Sequence, residues 1–305
     1  MKTPFVTVVI PNYNHARYLD KRIQSVLAQT YQNFEVVILD DKSTDDSLEI
    51  IRRYRSNSHV SCVLANETNS GSTFKQWHKG FELAKGDLIW IAESDDWCED
   101  NLLETLVGFF ERDPECVLAF NRSQPIRDDG TYIENYVERQ SEILSGIDFI
   151  SQRMTCGNSI ANASSALFSK QIAISIPLRY MDFKGAGDRL FWIEIAEHGN
   201  VGIDYHRLNY FRIHDNNSTK RYYFEGINQQ EDYQILLFIK EKGYVTDQQF
   251  LRAKRRYAQW NIFTSRLSSD KKHEICQIWG LGIWDRVMVF YYHVKEVLEY
   301  KFGIK

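Results

Sequence analysis

The sequence predicts an α/β protein: a mostly parallel, right-handed, doubly wound sheet flanked by helices, followed by a helical C-terminal appendage. Three observations predict it. Short apolar runs, Phe5 to Ile10, Phe34 to Leu39, Val60 to Leu64 and Leu88 to Ala92, alternate with segments whose apolar residues fall at helical spacing. These runs are mostly continuous rather than alternating, as in strands covered on both faces. The unusual polar and acidic groups each follow one of the runs, at the sheet edge where doubly wound folds bind their ligands.

Phe5 to Ile10 is short and β-branched, and Pro11-Asn12-Tyr13-Asn14 breaks it. Leu19, Ile23, Val26 and Leu27 then mark one face of a helix, and Phe34 to Leu39 returns as the second strand of a βαβ unit. That strand ends at Asp40-Asp41, after which Ser43 or Thr44 is expected to cap a helix carrying Leu48, Ile51 and Tyr54. Val60 to Leu64 is the third strand and Asn66 to Gly71 a loop. Phe74, Trp77, Phe81 and Ala84 line the next helix, which Gly86 is expected to end.

The fourth strand, Leu88 to Ala92, runs into Glu93-Ser94-Asp95-Asp96. Several like charges at one sheet edge are relieved most simply by a divalent cation. The other reading is that these acids, with Glu99 and Asp100, start the helix at Asn101. The loops at Asn12 to Asn14, Asp40-Asp41, Asn69 to Gly71 and Glu93 to Asp96 all follow strands and converge on one crevice, which favours the functional reading.

Leu102, Leu103, Leu106, Val107 and Phe110 predict a further helix, Cys116 to Phe120 a strand, and Asp128-Asp129-Gly130 a hairpin turn. Asn158 to Phe168 reads as a strand, Asp188 to Glu197 as a helix, and Leu208 to Ile213 as a strand ending at His214. Beyond Ser218 the chain reads as helices. The last sets Trp284, Val287, Met288, Tyr291 and Leu298 on one stripe, with Trp279 shortly before and Lys295, Lys301 and Lys305 alongside. Two readings stay open for it: peripheral contact with an anionic membrane surface, or packing on the catalytic domain or a second subunit, since Asp285, Glu296 and Glu299 dilute the positive charge.

At 305 residues with 43% hydrophobic composition the chain can bury a large core, and a formal net charge of −4 without a long basic block argues against nucleic acid as a partner. Cys62, Cys98, Cys116, Cys156 and Cys276 are odd in number and widely spaced, suggesting neither a disulfide frame nor a zinc knuckle. No signal-peptide pattern or membrane-spanning run is present, so a cytoplasmic protein is expected, on the inner face of the plasma membrane if the last helices bind lipid.

Taken together, the motifs resemble the family 2 glycosyltransferases, bacterial surface-polysaccharide enzymes among them, with the nucleotide-sugar-binding, Rossmann-like fold called GT-A. The resemblance runs from Pro4 to Ser218 through Val8-Val9-Ile10-Pro11-Asn12-Tyr13-Asn14, Ser25 to Gln29, Val37 to Asp41 with Ser43-Thr44-Asp45, Asn69-Ser70-Gly71, the Glu93 to Asp96 cluster, Gly187 to Trp192, and Asn209 to His214 with Asn217-Ser218. It implies a catalytic domain over residues 1–219, with a nucleotide-binding half at 1–97 and an acceptor-side half at 98–219. Residues 220–305 form the helical extension, outside the resemblance.

For the donor site the resemblance implies Pro11, Tyr13, Asp41, Asn69, Gly71 and Asp95. Tyr13 would stack on the base and Asp41 accept from a ring N–H such as that of uracil; the plainer readings are a turn aromatic and a helix cap. Backbone N–H groups at Asn69-Ser70-Gly71 are candidates for phosphate or sugar oxygens, with Lys75 nearby. Asp96 is the implied ligand of Mn²⁺ or Mg²⁺, with Asp95 on the ribose or on metal waters. Glu93 stands where the family commonly has Asp, and His214 completes the metal shell or is structural.

Asp188 occupies the position of the catalytic base, although Gly187 replaces the Glu that often precedes it; otherwise it is an N-cap, and it serves as both only if its second oxygen is free. Arg179, Lys184 and Arg189 read as solvated surface charge. One base without a second carboxylate nucleophile implies inversion at the anomeric carbon. The expected function is transfer of a hexosyl-type sugar from a nucleoside-diphosphate donor, UDP-linked by preference, to a polysaccharide or glycolipid hydroxyl. The alternative is a non-catalytic nucleotide-sugar-binding scaffold with a decayed site. A homo-oligomer is compatible with the sequence.

Overall fold

The computed structural model describes residues 3–132, 139–213, 218–285, 287–289 and 291. The chain divides into two compact units, Met1–Phe149 with Ile160–Asp182 and Phe191–Asp215, and Ile150–Ser159 with Phe183–Leu190 and Asn216–Lys305.

The first unit holds the sheet. Its strands are β1 (Val6–Asn12), β2 (Phe34–Asp40), β3 (Val60–Ala65), β4 (Leu88–Ile91), β5 (Trp97–Cys98), β6 (Cys116–Arg127), β7 (Glu142–Ser145), β8 (Ala166–Ser169) and β9 (Asn200–Ile213), in the spatial order β3-β2-β1-β4-β8-β6-β9-β5, with β7 paired to β9. β1, β2, β3 and β4 are mutually parallel, as the alternating apolar runs predict. β8 enters antiparallel to both β4 and β6, while β6 and β9 run parallel. Helices Ala16–Leu27, Ser47–Tyr54 and Thr73–Leu83 connect the first four strands. Leu19, Ile23 and Val26 of the first helix pack with Val8, Ile38 and Trp90 in a core that excludes water almost completely.

Three local expectations change. Ser43 and Thr44 do not cap the second helix, which begins at Ser47; the Ser43 hydroxyl accepts from Asn12 and Asn14, and Thr44 donates to Asn14. The helix before β4 ends at Leu83, so Gly86 serves another purpose: a Cβ there would lie 2.5 Å from Thr7 N and 2.7 Å from Phe5 O. The strand expected over Asn158 to Phe168 shortens to β8, because Ala163–Ser165 form a 3-10 turn that sends Ser164 toward the acidic cluster. β6 and β9 extend beyond the apolar runs that signalled them, carried by parallel pairing of partly polar residues from Asn121 to Arg127. The turn at Asp128-Asp129-Gly130 is present, closed by the antiparallel bridge Ile126–Tyr132.

The second unit is helical: Ser218–Glu225, Ile227–Glu241, Asp247–Ala258, Ser269–Ile278 and a π-helical turn at Gln259–Phe263. Trp279 is fully buried, stacked on Tyr257 at 4.4 Å, and its Nε1–H donates to Gln229 O at 2.9 Å. It is therefore part of the core and not of the surface stripe. Trp284, Val287 and Tyr291 of that stripe are exposed, together with Ile283; Leu298, Lys295, Glu296, Glu299, Lys301 and Lys305 lie outside the described residues. No helix among the described residues is long and apolar enough to cross a membrane.

Candidate active site

The carboxyl ends of β1, β2 and β4 carry the donor-side candidates. Pro11 closes β1 against Leu39 of β2, and Asn12, also in register with β2, donates to Asp40 Oδ2 at 2.8 Å. Asn14 takes a left-handed conformation, φ 56°, and its side chain accepts from Thr44 N at 2.7 Å. These bonds tie the two loops together and leave Tyr13 47% exposed between them.

Asp41 is almost fully buried and its carboxylate organises the next loop. Oδ1 accepts from Asn66 Nδ2, Ser70 N and Gln76 Nε2 at 2.6, 2.9 and 3.0 Å, and Oδ2 accepts from Ser70 Oγ at 2.7 Å. Asn69 donates to Asp41 O at 2.8 Å and accepts from Gly71 N at 2.8 Å, with Gly71 at φ 69°. The Ser70 and Gly71 N–H groups thus face protein acceptors, and Lys75 Nζ reaches Ser70 O at 3.4 Å.

The acidic cluster is held by residues the sequence reading did not single out. Arg22 is fully buried; its Nε donates to Glu93 O at 2.9 Å and Nη2 lies 3.8 Å from Asp96 Oδ2. Ser164 Oγ donates to Asp96 Oδ2 at 2.7 Å, Asn162 Nδ2 donates to the same oxygen, and Arg212 N donates to Oδ1 at 3.0 Å. Ser94 meets His15 Nδ1 at 2.8 Å, and Trp77 Nε1 donates to Glu93 Oε1 at 2.8 Å. Trp77 is fixed in turn by Phe74 and Phe191 at ring distances of 5.1 and 5.9 Å.

One signal was legible: Arg22 falls on the apolar stripe of its helix, between Leu19 and Ile23, where a charge without a buried partner would not be tolerated. Asn162, Ser164 and Arg212 gave no such signal, since polar residues near strand ends are common.

Burial, with the charges of Asp95 and then Asp96, pushes the Glu93 carboxyl up to about 8. Burial and Asp95 push Asp96 upward too, against Arg22, the Ser164 hydroxyl and the Arg212 N–H. Asp95 is the more exposed of the pair, while Asp96 is 2% exposed with both oxygens engaged. Among the described residues no three His, Cys, Asp or Glu side chains form a ready metal cage. The crowded hard-oxygen donors do fit an ion that shares its shell with substrate phosphates, as Mg²⁺ does when one or two carboxylates hold it. His214 lies outside the described residues.

Asp188 belongs to the second unit, near the start of helix Gly187–Ala196. Its Oδ1 accepts from Arg189 N at 2.7 Å and its Oδ2 from Asn158 Nδ2 at 2.8 Å, so neither oxygen is without a donor. The turn that leads into the helix is held separately: the Glu231 carboxylate accepts from the N–H groups of Lys184, Gly185 and Ala186 at 2.7, 2.9 and 2.8 Å. Burial first, and then the charge of Asp232, push the Asp188 carboxyl up to about 6, against the donors Arg189 N and Asn158. Arg189 is not surface charge: it is 1% exposed, ion-paired with Asp232, and its Nε donates to Met154 O at 3.1 Å. Arg179 likewise pairs with buried Glu194 in the first unit.

Comparison with known proteins identifies the fold and the family. Among curated relatives, glycosyltransferase GlyG of Streptococcus pneumoniae is 37% identical over 115 residues, 37% of this chain and 38% of that protein. The chain is matched to between 38% and 52% of the length of this and the next such relative. Among solved structures, Staphylococcus aureus TarS 1-349 in complex with UDP-GlcNAc superposes with a TM-score of 0.66 at 16% identity, covering 90% of this chain and 79% of TarS. The mannosyltransferase PcManGT of Pyrobaculum calidifontis, in complex with GDP-Man and Mn²⁺, gives 0.62 at 15% identity, covering 97% and 81%. The fold is thus of the GT-A type. The profile of glycosyl transferase family 2 matches residues 7–173, from the first strand through the acidic cluster and past β8, and to that family the chain belongs.

Proposed function

We propose that this chain is an inverting, metal-dependent glycosyltransferase that moves a sugar from a nucleoside-diphosphate donor, UDP-linked, to a hydroxyl of a growing polysaccharide or glycolipid in the cytoplasm. The observation that carries this reading is the convergence, at the ends of β1, β2 and β4, of an exposed Tyr13, the Asp41-centred loop and the Glu93–Asp96 cluster. The TarS complex with UDP-GlcNAc and the PcManGT complex with GDP-Man and Mn²⁺ support it by likeness of fold. All five cysteines are free thiols, in keeping with a reducing compartment.

In this reading Tyr13 stacks on the base, and Asp41 shapes the loop that accepts the nucleotide. Asp95 would hold Mn²⁺ or Mg²⁺, and Asp96, although the sequence pattern points to it as the ligand, fixes the loop through Arg22, Asn162 and Ser164. The bound ion would neutralise charge developing on the leaving diphosphate. Asp188 takes the proton of the acceptor hydroxyl as its oxygen bonds to the anomeric carbon and the bond to the diphosphate breaks; one displacement inverts that centre.

Calorimetric titration with UDP, GDP, dTDP and CDP, each with Mn²⁺ and again with chelator, tests the reading. Mn²⁺-dependent binding of one diphosphate is expected. Failure of all four under both conditions would remove it.

A further inference from the structure

The helical unit contains a cavity of about 440 Å³ whose lining includes Gln152, Arg153 and Ser159 from one segment and Arg256, Trp260 and Asn261 from another. Its size falls in the range of small-ligand sites. We propose that it binds an anionic saccharide, one carrying a carboxylate or a phosphodiester, as the subsite that holds the acceptor. The proposal rests on the glycosyltransferase reading of Asp188.

Charge is the first argument. The two guanidinium groups of Arg153 and Arg256 line the cavity and no carboxylate does. Arg256 is exposed and forms no ion pair among the described residues, so its charge is available to a ligand. Planar guanidinium forks suit the paired oxygens of carboxylate and phosphate better than a point charge does.

Shape is the second. Trp260 is 53% exposed, so a face of its indole is open to a ligand. It lies one helical turn beyond Arg256, so an apolar ring face and a cation stand together, as a sugar ring bearing an acid requires. Trp260 and Asn261 sit in the π-helical turn Gln259–Phe263, a rare geometry frequent at functional sites. The side-chain amide of Asn261 supplies donors and an acceptor for ring hydroxyls, and the Ser159 hydroxyl, which donates to Arg153 O at 2.6 Å, supplies a further acceptor.

Position is the third. Ser159 follows Asn158 in the chain, and the Asn158 amide is bonded to Asp188 at 2.8 Å. A saccharide seated against Ser159 therefore lies along the segment that holds the proposed base.

The test is direct binding, read by ligand-observed NMR on the full chain, with tetragalacturonate as the carboxylate probe, a synthetic glycerol phosphate tetramer as the phosphodiester probe and maltotetraose as the neutral one. At least one anionic probe is expected to bind about tenfold more tightly than maltotetraose, with an affinity that falls as salt rises. Which of the two binds identifies the acid. Arg256→Gln and Trp260→Ala are each expected to weaken that probe about tenfold, Arg256→Lys less, with melting temperatures unchanged. Equal binding of neutral and anionic probes, no binding of either anionic probe, or unchanged affinity in both variants would overturn the proposal. Because binding is read without transfer, Mn²⁺-dependent UDP binding measured in parallel separates failure of this subsite from failure of the glycosyltransferase reading.

Discussion

The Asn158 side chain donates to Asp188 Oδ2 at 2.8 Å, so the proposed base is oriented by an amide from a separate stretch of chain. Each Asp188 oxygen then accepts one bond and retains a second lone pair, which allows a proton to be taken without breaking the anchor. Asp188→Asn is expected to lower transfer about 10²- to 10⁴-fold with UDP affinity unchanged. Full turnover in that variant would assign the base elsewhere.

The same pair sets a pH dependence. With its carboxyl raised to about 6, Asp188 is the deprotonated base above that pH and is protonated below it. Turnover should therefore rise with pH through a limb near 6 and be lost on the acid side. The Asn158 bond favours the charged form, so Asn158→Ala should move the limb to higher pH. A limb that stays in place, or moves to lower pH, would separate Asn158 from the base.

Asp95 and Asp96 are neighbours with opposite expected consequences. Asp96→Ala removes the partner of a fully buried Arg22 and strands donors from Asn162, Ser164 and Arg212. Breaking one side of such a buried pair costs about 3–5 kcal/mol, so the variant should melt far below the parent. Asp95→Asn should keep the parent's melting temperature and lose the Mn²⁺ dependence of UDP binding. If instead Asp96→Ala melts normally and alone abolishes the metal effect, the ion belongs to Asp96.

The parallel half of the sheet was legible because each strand is mostly apolar, interrupted only by single residues such as Thr7, Glu35 and Ser61, and each helix shows its stripe. The site was less so. Glu93, Asp95 and Asp96 announce themselves by type and spacing, but Arg22, Asn162, Ser164 and Arg212 reach them from sequence separations of 66 to 117 residues. No local pattern encodes such contacts. The strand over Asn158 to Phe168 shortens because Asn162, Ser164 and Ser165 break up the apolar residues before β8, where Ala163–Ser165 turn in 3-10 geometry. The partners of Arg189, Asp232 and Met154 O, are also remote, at separations of 43 and 35 residues, so its burial was not legible.

Gly86 was legible as a glycine but not as to its use. An added Cβ would press on the β1 backbone at Thr7 N and Phe5 O, atoms that cannot swing aside. Gly86 N also donates to Thr7 Oγ1 at 2.8 Å, which fixes the approach. Gly86→Ala should therefore destabilise the protein by about 1–3 kcal/mol, as overpacking does, without altering the midpoint of Mn²⁺ binding at temperatures where it remains folded. Chemical denaturation gives the number; a stability equal to the parent's would mean that the β1–β4 approach is softer than its geometry implies.

Asp41 is the anchor of the Asn66–Ser72 loop and, by the sequence pattern, an acceptor for the base, and its substitutions separate the two roles. Asp41→Ala leaves the Ser70 N–H, the Ser70 hydroxyl and the Asn66 and Gln76 amides without their shared acceptor. Each buried donor so stranded costs about 1–3 kcal/mol, enough to release the loop before the sheet unfolds. Hydrogen exchange over residues 69–72 should then accelerate, and UDP affinity should fall by tenfold or more. Asn69→Ala removes only the bonds to Asp41 O and from Gly71 N, and should loosen the same loop with a smaller loss of affinity. If Asp41→Ala loses affinity while exchange at 69–72 is unchanged, the carboxylate acts on the nucleotide itself; if exchange rises and affinity is unchanged, the loop takes no part in holding the donor.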